Sequence, residues 1–191
     1  MQVKLEQIAN IISGYTFRGA LENNSDGNVF VLQAKNIIAG QKLNGNQNLS
    51  RILFEKARGQ FFLQNNDIVI VSRGSGIGSF RAAVFQDLTT NIVVASSVYI
   101  IRAISDKVLP DYVSVFINSS EGQKRIMETA TGSHIKALLR SEIVKINIPL
   151  PEVDKQRIIV KLAKNLKQQE EICYRKIQIK KNIANSIFEK I

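Results

Sequence analysis

Two of the chain's three prolines stand at Pro149 and Pro151, and from Glu152 to Ile191 there is neither proline nor glycine. Proline has no backbone N–H and drives its predecessor to extended geometry, so this pair is a stiff boundary between two kinds of sequence. Before it lie short β-rich runs broken by Gly, Asn and Ser; after it the chain is free to be one helix. Glu152 and Asp154 suit the positive end of a starting helix. The expected organisation is a folded unit over residues 1–151 and a long helix over 152–191.

The tail carries apolar residues at Ile159, Leu162, Leu166, Ile172 or Cys173, Ile179, Ile183, Ile187 and Ile191. Steps of three and four put them on one stripe, interrupted around Gln168-Gln169. Forty residues of helix would extend about 60 Å. A helix that long has no room to bury its whole stripe on the preceding unit, so it calls for a partner helix, and the polar break can fix the register. Folding back on its own domain is the competing arrangement. Cys173, the sole cysteine, reads as a small buried apolar residue there, fits a reducing cytosol and excludes an internal disulfide.

In the first 151 residues, Val3–Ile12 shows helix-like spacing and predicts a short helix or turn, opening into the loop Ser13–Gly19. Val29–Leu32 predicts a strand, Gly40–Ser50 an exposed loop, and Asp67–Val71 the strongest strand. A second long strand is expected over Ile92–Ile101, a helix over Pro110–Asn118, a further helix capped by Ser119 or Ser120, and a last strand over Glu142–Ile148. Strands and helices mix without a regular βαβ repeat, which predicts an α+β class with a mixed sheet.

The formal net charge is +10. Residues 152–191 hold ten Lys and Arg against five acidic residues, a denser excess than in the rest of the chain. Such a balance points to a polyanion, nucleic acid ahead of a merely basic soluble protein. With Trp absent and aromatics at 7%, duplex binding is preferred over a single-strand stacking platform. No apolar run reaches the roughly 18–20 residues of a membrane span, and Met1–Gln7 lacks a signal peptide's apolar core, so a cytoplasmic protein is expected.

Catalytic motifs are wanting. Ser72-Arg73-Gly74-Ser75-Gly76-Ile77-Gly78-Ser79 follows the strong strand, but Phe80–Phe85 reads as another strand rather than the helix that a dinucleotide fingerprint needs, and the P-loop's Gly-Lys-Ser/Thr is missing. A glycine-rich hairpin that lets backbone approach a ligand and a plain tight turn both fit. Thr131–Lys136 is a second small basic loop. His134, the only histidine, lacks an Asp/Cys/Ser constellation close in sequence and reads as exposed or DNA-facing rather than catalytic. One Cys and one His exclude a Cys/His zinc site within the chain. Asp67 and Glu142 lack a paired carboxylate.

The order of several blocks resembles the specificity subunit of type I restriction-modification systems over essentially the whole chain. They are Val3-Lys4-Leu5 with Ser13–Phe17, Asn66–Gly74, Ala95–Val98, Ala130–Lys136, and Ile148-Pro149-Leu150-Pro151 followed by Gln156-Arg157-Ile158-Ile159. The resemblance implies a target-recognition domain over 1–151 and a spacer helix over 152–191. It implies DNA sequence recognition without catalysis and without a cofactor in this chain. S-adenosylmethionine is then expected on an adenine methyltransferase (modification) subunit, and ATP on a restriction subunit.

The usual family member carries two recognition domains and two spacer helices, whereas one of each is visible here, which suggests half a specificity subunit acting as a homodimer on a bipartite duplex. The DNA-facing residues expected are Tyr15, Arg18, Lys35, Asn36, Arg73, Ser75, Arg81, Ser133, His134 and Lys136. Ile159, Leu162, Leu166, Ile172, Ile179, Ile183 and Ile187 are expected on the pairing helix. A stand-alone dimeric DNA-binding protein, an inactive donor fragment of a specificity locus and, last, a nucleotide-using enzyme are the alternatives.

Overall fold

A computed structural model describes residues 1–44, 49–54, 59–87 and 91–188. The strands are β1 Gln2–Lys4, β2 Ala9–Ser13, β3 Val29–Leu32, β4 Lys42–Leu43, β5 Ser50–Ile52, β6 Ile68–Val71, β7 Arg73–Gly74, β8 Ala82–Phe85, β9 Ile92–Val94, β10 Val98–Ala103, β11 Lys136–Ala137 and β12 Asn147–Pro149. The helices are α1 Pro110–Asn118, α2 Ser120–Thr129, the single turn α3 Arg140–Ile143, and α4 Val153–Phe188. This is the α+β fold expected, a mixed sheet followed by a long C-terminal helix.

The main sheet has the order β2-β10-β6-β8-β4, antiparallel except for the short β4–β8 pair. Every residue of β6 is buried, and successive side chains of a strand point to opposite faces, so Ile68-Val69-Ile70-Val71 feeds two cores. Ile68 and Ile70 join Ala82, Val84, Tyr112, Val113 and Ile126, under α1 and α2. Val69 and Val71 join Leu32, Ile92, Val94 and Ile100, under a second sheet of order β5-β3-β9. Central strands covered on both faces have no polar side to show, which is why this run is apolar throughout.

The helix starts follow local chemistry. Pro110 opens α1, where a missing N–H costs nothing, and Ser119 Oγ accepts the Gly122 N–H at 3.1 Å to cap α2. Several expectations fail. Val3–Ile12 is strand, one 3-10 turn at Leu5–Gln7, then strand. Here Ala9 and Ile11 are buried with period two, and pairing of β1 with β12 and of β2 with β10 overrides the helical spacing. Ile92–Ile101 is two strands in different sheets, parted by a turn at Ala95-Ser96-Ser97. Glu142–Ile148 divides into the end of α3 and β12, because the Glu142 and Ile143 N–H groups turn back to Leu139 O. Within Gly40–Ser50, Lys42–Leu43 is strand and Leu43 and Leu49 are buried; residues 45–48 lie outside the described residues.

The base of α4 is bolted to the domain. Gln156 is wholly buried; its Oε1 accepts the Leu109 N–H at 2.9 Å, and its Nε2 donates to Lys107 O and Pro151 O, both at 2.8 Å. Val160 reaches the core, Lys164 Nζ pairs with Asp111 Oδ1 at 3.0 Å, and Lys167 Nζ donates to Ala39 O at 2.7 Å. The outer face of the helix stands clear even there, and the rest of it beyond: Leu162, Leu166, Ile172, Ile179, Ile183 and Ile187 are each more than half exposed, whereas Ile159 packs on the domain core. Cys173 is exposed too, against expectation, because it lies past the last turn that touches the domain. Ile191 lies outside the described residues. Among the described residues no helix is long and apolar enough to cross a membrane.

Candidate nucleic-acid interface

The C-terminal ends of β2, β3, β6 and β9 meet at the turn Ala95–Ser97, and four loops that the sequence singles out hang from it. Tyr15 N–H bonds Val94 O at 2.7 Å and Ser96 N–H bonds Tyr15 O at 2.8 Å, which ties on the Ser13–Gly19 loop. Ala95 N–H bonds Leu32 O at 2.9 Å and Ala34 N–H bonds Ser97 Oγ at 3.3 Å, bringing in the turn at Ala34–Asn36. Ser72 N–H bonds Ser97 O at 2.9 Å, and Leu138 N–H bonds Ser72 O at 2.9 Å, so the glycine loop and the Thr131–Lys136 loop arrive side by side. Gly14 is obligatory in this crossing: a Cβ there would lie 2.1 Å from Ala95 O.

On one side of the turn, Tyr15, Phe17, Gln33, Lys35, Ser96 and Ser97 line an open groove of about 480 Å³. Tyr15 is half-buried and its ring is fixed edge-on by Phe17, Phe54 and Phe61, with centroids 4.9, 4.7 and 5.4 Å away. Arg18 and Lys35 are exposed beside it. Asn36 Oδ1 accepts the Gln33 N–H at 2.9 Å. The Arg81 guanidinium is engaged inward, with Nε on Ile37 O at 2.9 Å and Nη2 on Ala34 O at 3.1 Å, so it braces the turn that carries Lys35.

On the other side, β7 and β11 pair antiparallel, Arg73 opposite Ala137 and Gly74 opposite Lys136. Arg73, Ser75, Ser133 and His134 are exposed and Lys136 half-exposed. Gly132 adopts φ +111°, and a Cβ on it would lie 2.3 Å from Ile135 O. The buried Gln123 accepts the Gly78 N–H at 2.9 Å and donates to Phe80 O and Ile117 O, which pins the glycine loop onto α2. Tyr99 donates to Leu138 O at 2.9 Å; burial raises its pKa, while the nearby Arg73 and Arg140 work the other way. Arg140 thus joins the same cationic cluster. Nothing local marks it in the sequence; only Tyr99, a strand away, brings it beside Arg73.

The rim therefore gathers Arg18, Lys35, Arg73, Lys136 and Arg140 around exposed hydroxyl and imidazole groups, a surface able to hold phosphates and meet base edges. Among the described residues no group of three or more His, Cys, Asp and Glu is placed to hold a metal ion.

A family model described as the type I restriction modification DNA specificity domain matches residues 1–184. No curated protein matches the chain in sequence. Several solved structures share its fold. A chain of a type I R-M system is 18% identical with a TM-score of 0.66, covering 92% of this chain and 40% of that one. The HsdS subunit from Thermoanaerobacter tengcongensis is 17% identical with a TM-score of 0.65, covering 92% and 39%. The type I restriction-modification S subunit from M. genitalium is 15% identical with a TM-score of 0.57, covering 94% and 42%. The present sequence thus spans about 40% of the length of those chains.

Proposed function

Because the chain belongs to the type I restriction-modification DNA specificity family, we propose that it chooses the DNA site for an adenine methyltransferase subunit and carries no chemistry of its own. Residues 1–151 read one half of a bipartite duplex site. The helix beyond them pairs with a second copy, supplies the other half-site by twofold symmetry, and docks the methyltransferase. S-adenosylmethionine and ATP belong to the partner subunits, the latter to a restriction subunit where one joins.

The observation that carries this reading is the convergence of four loops on the Ala95–Ser97 turn, with cations on both sides of it. Arg18, Lys35, Arg73 and Lys136 take phosphates, each neutralised contact steepening the salt dependence by about 0.9 in log–log slope. Tyr15, Asn36, Ser75, Ser133 and His134 meet a groove of the duplex, where Asn, Ser and His have donors and acceptors for base edges. Arg81 acts from behind, by holding the Ala34–Asn36 turn. The exposed stripe from Leu162 to Ile187 supports helix pairing, since an aliphatic row of that length left in water is unfavourable.

Co-expression with a type I methyltransferase subunit, followed by mapping of methylated adenines, tests the proposal. A bipartite motif with symmetric half-sites is the expected result; an intact complex that adds no methylation sinks it. A chain that sediments as a monomer at micromolar concentration overturns the pairing.

A further inference from the structure

Ile77 and Ile135 are 77% and 67% exposed, one in each of the loops that the β7–β11 ladder ties together. Antiparallel pairing of Gly74 with Lys136 sends Ser75–Ser79 and Thr131–Ile135 out of the same end of that ladder. A single exposed isoleucine is ordinary on a protein surface. Here each is carried by a loop leaving the same end of a two-residue ladder, with Arg73 and Lys136 in the ladder itself, so both apolar side chains stand near cations.

Neither loop is slack. Ser79 N–H closes on Gly76 O at 3.1 Å, Gly76 N–H reaches Ser79 Oγ at 3.3 Å, and Gly78 N–H is held by Gln123, itself 3% exposed. On the facing loop the backbone of Ile135 fills the space where a Cβ of Gly132 would sit. A tip already ordered loses little entropy when a ligand closes over it. An aliphatic side chain has no donor or acceptor with which to read a base edge, but it can press between stacked bases.

We propose that Ile77 and Ile135 are apolar wedges that enter a base-pair step of the bound duplex and open its stack, while Arg73, Lys136 and Arg140 hold the flanking phosphates. This rests on the DNA reading above and deepens it, adding shape and deformability at a flexible step to the contacts with base edges. The surrounding cations favour a polyanion over an apolar protein surface as the occupant.

The test uses the full chain assembled with its methyltransferase subunit and the duplex that this complex selects from a random pool, with 2-aminopurine walked through the selected site. Binding is expected to raise the fluorescence at one step. Ile77→Ala and Ile135→Ala, which melt as wild type because both residues are exposed, lose that rise and weaken binding about tenfold. Variants that bind and unstack as wild type does, or a wild-type complex that binds with no fluorescence change, overturn the wedge and leave the DNA reading standing. A wild-type complex that selects no duplex removes both.

Discussion

Replacing Gln156 by alanine should loosen the joint between domain and helix more than any other single change at that interface. The side chain is wholly buried and makes three hydrogen bonds, to Leu109 N, Lys107 O and Pro151 O. One residue of α4 therefore ties the entry to α1, the preceding loop and the proline junction together. At about 1 kcal/mol net for each bond, plus a cavity where water does not replace the amide, the cost is about 3–5 kcal/mol. A chain of this size loses about 2–4 °C of Tm per kcal/mol, so Gln156→Ala should melt roughly 6–20 °C below wild type by calorimetry or circular dichroism. Gln156→Glu sharpens the test. One carboxyl oxygen still accepts from Leu109, but the other meets the two carbonyls that the amide served as donor. Facing those dipoles, the carboxyl is held above the ordinary glutamate pKa of about 4.3. Below that pH both states are protonated and the acid restores one donor, so the deficit is small. As pH rises past the unfolded value the unfolded chain ionises first, and stability falls until the folded pKa is passed. Gln156→Glu should thus melt close to wild type at about pH 4 and well below it at pH 7, while the alanine deficit stays level. An alanine variant within about 2 °C of wild type, or a glutamate deficit that does not grow with pH, refutes the clamp.

Arg102→Ala should cost about 3–5 kcal/mol in a denaturant titration, because it strands the buried Asp67 carboxylate that Arg102 holds through two bonds of 2.8 and 2.7 Å. Replacing both by leucine should recover most of that loss. Burial raises the pKa of Tyr99 and of Tyr112, so the stability they contribute is intact below about pH 10 and is lost as pH rises through the raised folded values. Melts of Tyr99→Phe and Tyr112→Phe between pH 9 and pH 11 should lack their share of that fall. Gly14→Ala should cost more than about 2 kcal/mol and abolish DNA binding, since its Cβ meets backbone at Ala95, whereas Gly19→Ala, with open space at φ +83°, should cost only about 1–2 kcal/mol. Inserting seven residues between Ile179 and Ile183 should keep the stripe in phase and lengthen the methylated motif's spacer by about three base pairs, while a single inserted alanine turns the stripe by about 100° and should abolish pairing.

What local chemistry dictates was legible in the sequence. Pro110 and Ser119 mark helix starts because their effects act within one turn, and Ile68–Val71 declares a strand through its own composition. The helix after Pro151 was equally plain, since nothing in 152–188 can break it. What depends on partners distant in sequence was hidden. Ala9 and Ile11 alternate, yet the same stretch fits a helix, and only pairing with β10 decides it. The small residues Ala95-Ser96-Ser97 do not announce a change of sheet, yet they are the hub of the rim. Among the rim residues, Arg18, Lys35 and Arg73 were legible as cations in polar loops. Arg81 was equally cationic, but its guanidinium is committed to two carbonyls 44 and 47 residues away.

The rim and the joint bear on one another through rigidity. Between the exposed cations and the base of α4 the chain passes through the fully buried β6 and its neighbours, and α1 packs on β8 as well as on α4. A close-packed core moves as one body rather than bending by degrees. A displacement of the rim would therefore be carried to Gln156 and Val160, and from there along a 36-residue helix about 54 Å long, where a tilt of a few degrees at the base becomes several ångströms at the tip. Lys164 with Asp111 and Lys167 with Ala39 O limit that tilt from the flank. Lys167 is half-buried at this contact, and that desolvation lowers its pKa against the opposing pull of Glu171 and Glu170. If two copies pair through α4, the angle set at this joint fixes where the second rim meets the duplex, and the spacing between half-sites is decided at Gln156 as much as by the length of the helix.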